Sequence, residues 1–184
     1  MNTINKSCVA AVVYSDSGSA DGPMLEFAQQ LQSRGLVVRG LLAVPTTEGC
    51  AARSLIDLED DTRYPIGQDL GAGSRACSLD ADALLGAGIV LRRVLEDAAD
   101  LVVVNRYGAL EAEGGGFSGE MLELMSRGYP LLTAVSRVNL DAWRRFTGGT
   151  AAELEPNVEA MMEWFNALAE QGFTRILVGP PDIA

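Results

Sequence analysis

Short apolar runs recur along the chain at Cys8–Tyr14 (CVAAVVY), Leu36–Val44, Leu101–Val104 (LVVV), Leu131–Val135 (LLTAV) and Ile176–Val178 (ILV). They are unbroken rather than alternating, which is the pattern of strands covered on both faces, as in a parallel sheet. Helical spacing fills the stretches between them. Asp21 is placed to cap a helix through Phe27 and Leu31 to Arg34, with Gly35 as its stop, and Asp80 to cap a longer one to about Asp97. Ser118 opens a third helix ending near Arg127–Gly128, Asn139 a short one through Trp143 and Phe146, and Asn157 one through Trp164 and Leu168 to Gly172. Strands alternating with helices predict a single α/β domain over residues 1–184: a doubly wound, mainly parallel sheet sandwiched by helices. The strand at Cys8–Tyr14 is expected to have those at Leu101–Val104 and Leu131–Val135 as neighbours.

Residues 53–70 (RSLIDLEDDTRYPIGQDL) break the pattern. Ser54–Leu58 and Arg63–Ile66 flank a turn-rich acidic cluster, so a small β-hairpin insertion at the sheet edge is expected. Asp57, Glu59, Asp60 and Asp61 are acceptable ligands for a divalent cation, although adjacent acids in a turn are ordinarily solvated.

Composition narrows the function. The 184 residues carry 14 Lys+Arg against 25 Asp+Glu, a formal charge of −11, so phosphodiester backbones and anionic membranes are repelled. No nucleic-acid partner and no membrane insertion are expected. The absence of histidine removes His bases, Ser-His-Asp and Cys-His nucleophiles and His-containing metal sites. With Lys6 as the one lysine, a phosphate-loop or Schiff-base lysine is equally hard to build, and arginine must supply the cationic chemistry. Cys8, Cys50 and Cys77, odd in number and widely spaced, suit a reducing cytoplasm. The Cys8–Tyr14 run is too short for a membrane span and reads as a buried strand rather than a signal-peptide core.

In an open α/β sheet, ligands collect at the carboxyl ends of the strands, where helix N-termini offer N–H groups to anions. Four segments are expected there. Ser15, Asp16, Ser17, Gly18 and Ser19 follow the first strand in the position of a phosphate-binding loop, but Ala20-Asp21 falls where the lysine and hydroxyl of GxxxxGK[ST] would stand. The alternative is an ordinary polar turn. Gly71, Gly73, Ser74, Arg75 and Ser78 precede a helix and make a nest of donors with one guanidinium, suited to a tetrahedral oxyanion; alternatively they form a flexible loop. Asn105 and Arg106 end the LVVV strand and can contact the same anion, while Glu111 and Glu113 can orient a water or hold a metal, unless Arg106 and Glu111 simply pair. Arg137, after LLTAV, is either a further anion contact or a surface charge.

Taken in order, AAVVYSDSGSADGPMLEFAQQLQSRG, GQDLGAGSRACSLDADAL, DLVVVNRYGALEAEGGGF, GYPLLTAV and AWRRFTGG make the whole chain recognisable. It resembles a bacterial family of unknown function, nucleoside-triphosphatase-like with a degenerate phosphate-binding loop. Members are commonly encoded near molybdate transport or molybdenum-enzyme genes, so the resemblance implies a role in molybdenum physiology. The chain departs from the wider triphosphatases in lacking the loop lysine, and has Gly115 where a basic residue is expected.

Three functions are consistent with these residues. The first is an oxyanion-binding protein holding molybdate, tungstate or a phosphate group in a Gly/Ser/Arg pocket, which needs neither histidine nor lysine. The second is a nucleotide-binding protein or weak Mg-dependent NTPase, in which an arginine from a neighbouring subunit of a homo-oligomer replaces the lysine. The third is a regulatory partner of a molybdate transporter or molybdenum enzyme, docking through a face with Trp143 and Phe146.

Overall fold

The computed structural model describes residues 7–15, 19–44, 54–68 and 78–172. In chain order the elements are β1 (Val9–Tyr14), α1 (Asp21–Ser33), β2 (Val38–Ala43), β3 (Ser54–Asp57), β4 (Arg63–Pro65), β5 (Gly67–Gln68), β6 (Ser78–Leu79), α2 (Ala81–Val94), β7 (Leu101–Tyr107), α3 (Ala109–Ala112), α4 (Ser118–Ser126), β8 (Leu131–Ser136), α5 (Leu140–Phe146), β9 (Ala152–Leu154) and α6 (Val158–Glu170). A seven-stranded sheet runs β4-β3-β2-β7-β8-β1-β9, and β5 pairs with β6 separately. Strands β2, β7, β8, β1 and β9 are parallel, while β3 and β4 are antiparallel, so the expected hairpin does sit at one edge. The expected strand at Ile176–Val178 lies outside the described residues.

The alternation of side chains along each central strand divides the interior into two cores. Ala11, Val102, Val104, Leu131 and Val135 face one way, onto Leu84, Leu91 and Val94 of α2, Met121 and Leu124 of α4 and Trp143 of α5. Ala10, Val12, Val103, Leu132 and Ala134 face the other, onto Met24, Phe27 and Leu31 of α1 and Met161, Trp164 and Leu168 of α6. Burial on both faces is why these strands read as unbroken apolar runs.

Several expectations need correcting. The Leu101 strand does not border β1; β8 lies between them, paired with both. Helix α1 is capped at Ala20 without a side-chain bond, and Asp21 sits inside its first turn, its N–H donating to Ser19 Oγ at 3.1 Å. Helix α2 does start at Asp80, whose Oδ1 accepts from the Asp82 and Ala83 N–H groups, but it ends at Val94 rather than Asp97. Trp143 is 1% exposed and packs with Tyr107 and Phe146, so it belongs to the core and not to a docking face. Asp57 is not a solvated turn acid: it is 1% exposed and accepts from Arg93 Nη2 at 2.7 Å. Burial pushes its carboxyl up, opposed by the Glu59 N–H and Arg93.

Strand β2 depends on a glycine. Gly40 has φ +116° and lies opposite Val103, where a Cβ would overlap the Val103 carbonyl oxygen. Gly86, in the middle of α2, has nothing within 4 Å of its missing Cβ. Gly40→Ala is therefore expected to cost about 2–4 kcal/mol in chemical denaturation, while Gly86→Ala should add about 0.5–1 kcal/mol.

Candidate functional site

The carboxyl ends of β1 and β7 frame the N-terminus of α1. Tyr14 closes β1, Asn105 to Tyr107 close β7, and Asp21 is the first residue of α1. The Asn105–Arg106 peptide bond is cis. Asn105 is 2% exposed, and its Nδ2 donates to Asp21 Oδ1 at 2.8 Å. Arg106 Nη2 lies 3.3 Å from Asp21 Oδ2 and 3.4 Å from Oδ1, and its Nη1 donates to the Tyr14 hydroxyl at 2.9 Å. The guanidinium also stands over the Tyr14 ring, 5.5 Å from its centroid. Asp21 is the buried partner of the pair, with 12% of its side chain exposed against 43% for Arg106.

Asn105 is half satisfied. Its amide nitrogen is fixed on the acceptor-only carboxylate of Asp21, and its buried Oδ1 has no hydrogen-bond partner among the described residues. A cavity of about 380 Å³ adjoins this cluster, bounded by Asp21, Asn105 and Arg106 at its polar end and by residues such as Leu55, Ile66, Leu84 and Phe117 elsewhere.

Glu111 closes one side of the cavity in a structural capacity. One carboxylate oxygen accepts the Gly108 N–H at 2.9 Å and the other the Phe117 N–H at 3.1 Å, so the acid ties α3 to the start of α4. A Cβ on Gly116, at φ +53°, would overlap Glu111 Oε1. Glu113 is exposed, so the two glutamates do not form a facing pair. Arg106 pairs with Asp21 rather than with Glu111. Among the described residues no group of three or more Asp, Glu or Cys is gathered as a metal site.

Of the remaining expected site residues, only some are among those described. Ser15 directly follows β1, and Ser19 supports the α1 entry; Asp16, Ser17 and Gly18 lie outside the described residues. So do Gly71, Gly73, Ser74 and Arg75, while Ser78 has its backbone paired with Gln68. Arg137 borders a different hollow of about 490 Å³, beside Arg144 and Glu153. There Arg144 binds both Glu153 oxygens, at 2.7 and 2.9 Å, joining α5 to β9. Tyr14 and Asp21 had no sequence signal as partners of Arg106: one reads as the end of an apolar strand, the other as a helix cap.

Two outcomes follow. Glu111→Ala strands two backbone N–H groups and should cost about 1–3 kcal/mol in equilibrium unfolding, whereas Glu113→Ala should stay within about 0.5 kcal/mol. The hydrogen bonds from Arg144 hold the Glu153 carboxyl below the usual glutamate range. Because the folded state lowers this value, the contribution is present above the unfolded glutamate range of about 4.3 and lost as pH falls below it. Melting temperatures measured across that interval should decline less steeply in Glu153→Gln than in the parent.

The same architecture occurs in two solved structures. The solution structure of a human cancer-related nucleoside triphosphatase superposes with a TM-score of 0.62 at 14% identity, covering 89% of this chain and 97% of that one. The crystal structure of THEP1 from the hyperthermophile Aquifex aeolicus does so with a TM-score of 0.62 at 11% identity, covering 88% and 98%. At this identity the likeness concerns the fold. In sequence, the chain is 32% identical over 165 residues to the molybdenum import ATP-binding protein ModC 2 of Bradyrhizobium diazoefficiens. That match takes in 88% of this chain but 18% of the relative's length. Residues 9–164 match the model of a family described as a protein of unknown function (DUF2478), and the chain belongs to that family.

Proposed function

We propose that this chain is a nucleotide-binding protein that does not turn its ligand over, with the cavity at the carboxyl edge of β7 as its binding site. The observation that carries this reading is the cavity itself: about 380 Å³, apolar along most of its wall and polar at the Asp21–Asn105–Arg106 end. A space of this size and character matches a small organic ligand better than a bare tetrahedral oxyanion, which has no apolar surface to bury. The triphosphatase fold lends support.

The catalytic complement is thin. Lys6 is the one lysine and precedes β1, so no lysine follows that strand to stabilise a transferring phosphoryl group. Among the described residues magnesium finds no fitting donors here either. The end of β7 offers an amide and a guanidinium, Asp21 is committed to both, and Glu111 is occupied by backbone N–H groups. No step through a metal is therefore derived.

A second reading, molybdate or tungstate as ligand, draws on the likeness to a molybdenum import protein and on the partly exposed Arg106. On either reading the protein would serve molybdenum supply, as a sensor or regulatory partner of import. Calorimetric titration with AMP, ADP, ATP, GTP, molybdate, tungstate and phosphate separates the two. The expected result is nucleotide binding with phosphate release far below the roughly 1–100 per second of kinases. Saturable molybdate binding without nucleotide binding, or turnover in that range, would overturn it.

A further inference from the structure

The first turn of α1 offers an anion little: the Asp21 N–H donates to Ser19 Oγ, Pro23 has no N–H, and the Met24 N–H donates to the Ala20 carbonyl. The cation beside it is Arg106, and it is already served by a residue of this chain. Asp21 lies in the first turn of α1 and turns its carboxylate toward β7, where it accepts from Asn105 Nδ2 and Arg106 Nη2. Arg106 is thus matched by the Asp21 carboxylate, and Asn105 Oδ1, which has no partner among the described residues, is a further acceptor.

We infer that Asp21 is a resident anion that sets the charge selectivity of this site: it occupies Arg106, disfavours polyphosphates there and leaves the cavity to nucleosides and nucleoside monophosphates. This rests on the nucleotide reading and specifies its ligand class. A triphosphate placed at Arg106 would meet the buried carboxylate and would have to compete with it for the same guanidinium protons. A ligand with little charge can fill the apolar walls without displacing that pair. Substitution of the carboxylate by an amide keeps its shape and an acceptor for Asn105, removes the negative charge and releases Arg106.

The test compares AMP, ATP and inorganic tripolyphosphate on the full chain by calorimetry, in the parent, in Asp21→Asn and in Asp21→Asn combined with Arg106→Ala, with melting curves as the control for folding. The parent is expected to bind AMP more tightly than ATP and to bind tripolyphosphate weakly. Asp21→Asn should tighten ATP and tripolyphosphate by about tenfold or more, the scale of a released charge-assisted hydrogen bond, and the double variant should lose that gain. ATP binding the parent as tightly as AMP overturns the inference, and this measurement needs no variant. Unchanged or weakened tripolyphosphate binding in a folded Asp21→Asn also overturns it. A parent that binds no nucleotide, together with an Asp21→Asn that gains tripolyphosphate, would discard the nucleotide reading and retain the role of Asp21.

Discussion

The arrangement depends on β7, β8 and β1 being buried on both faces. Strands in that position have no solvent side on which to display chemistry, and their parallel direction delivers every strand end to the same edge. Val102 to Val104, Leu131 to Val135 and Ala10 to Val12 are each 0% exposed across the middle of the sheet. Polar function is thereby pushed to the residues that follow, and the first polar side chain after LVVV is Asn105. The site is where the apolar pattern stops.

At that edge the governing fact is the scarcity of cations. A formal charge of −11 makes any arginine near a strand end electrostatically expensive to leave alone, because acidic neighbours compete for it. Arg39 joins Glu59 and Asp97, Arg93 joins Asp57, Arg144 joins Glu153, and Arg106 joins Asp21. The contacts of Arg39 with Glu59 and of Arg93 with Asp57 tie the edge hairpin to β2 and α2, and that of Arg144 with Glu153 ties β9 to α5. The contact of Arg106 with Asp21 sits on the wall of a cavity, where, on the proposed reading, it determines which ligand charges are tolerated.

Much of the frame was legible from pattern, for reasons that are local. Unbroken apolar runs locate β1, β7 and β8, and Asp80 and Asn157 cap α2 and α6 because a side-chain oxygen at a helix start has donors within reach in the chain itself. What escaped is set by tertiary contact. Strand β9 is Ala-Glu-Leu, paired along one side by β1, and three edge residues make no apolar run. The insertion of β8 between β1 and β7 is invisible to periodicity, which reports burial but not order. Asp21 was misread because a carboxylate at the first turn looks the same whether it caps its own helix or reaches across to β7.

The difference between Asp21 as cap and Asp21 as tertiary anion also decides how the missing lysine should be understood. Even with a lysine, the first turn of α1 would present few N–H groups to an incoming anion, because Pro23 has none and the Asp21 N–H is taken by Ser19 Oγ. The cation at this edge is Arg106, and a buried carboxylate already holds it, fixed also by an amide at 2.8 Å. Such a carboxylate is stable in a poorly solvated place because it has these donors, and one of them, Arg106, is the cation a phosphate at this edge would use. On the proposed reading, a missing lysine only weakens phosphate binding at this edge, whereas the carboxylate opposes it.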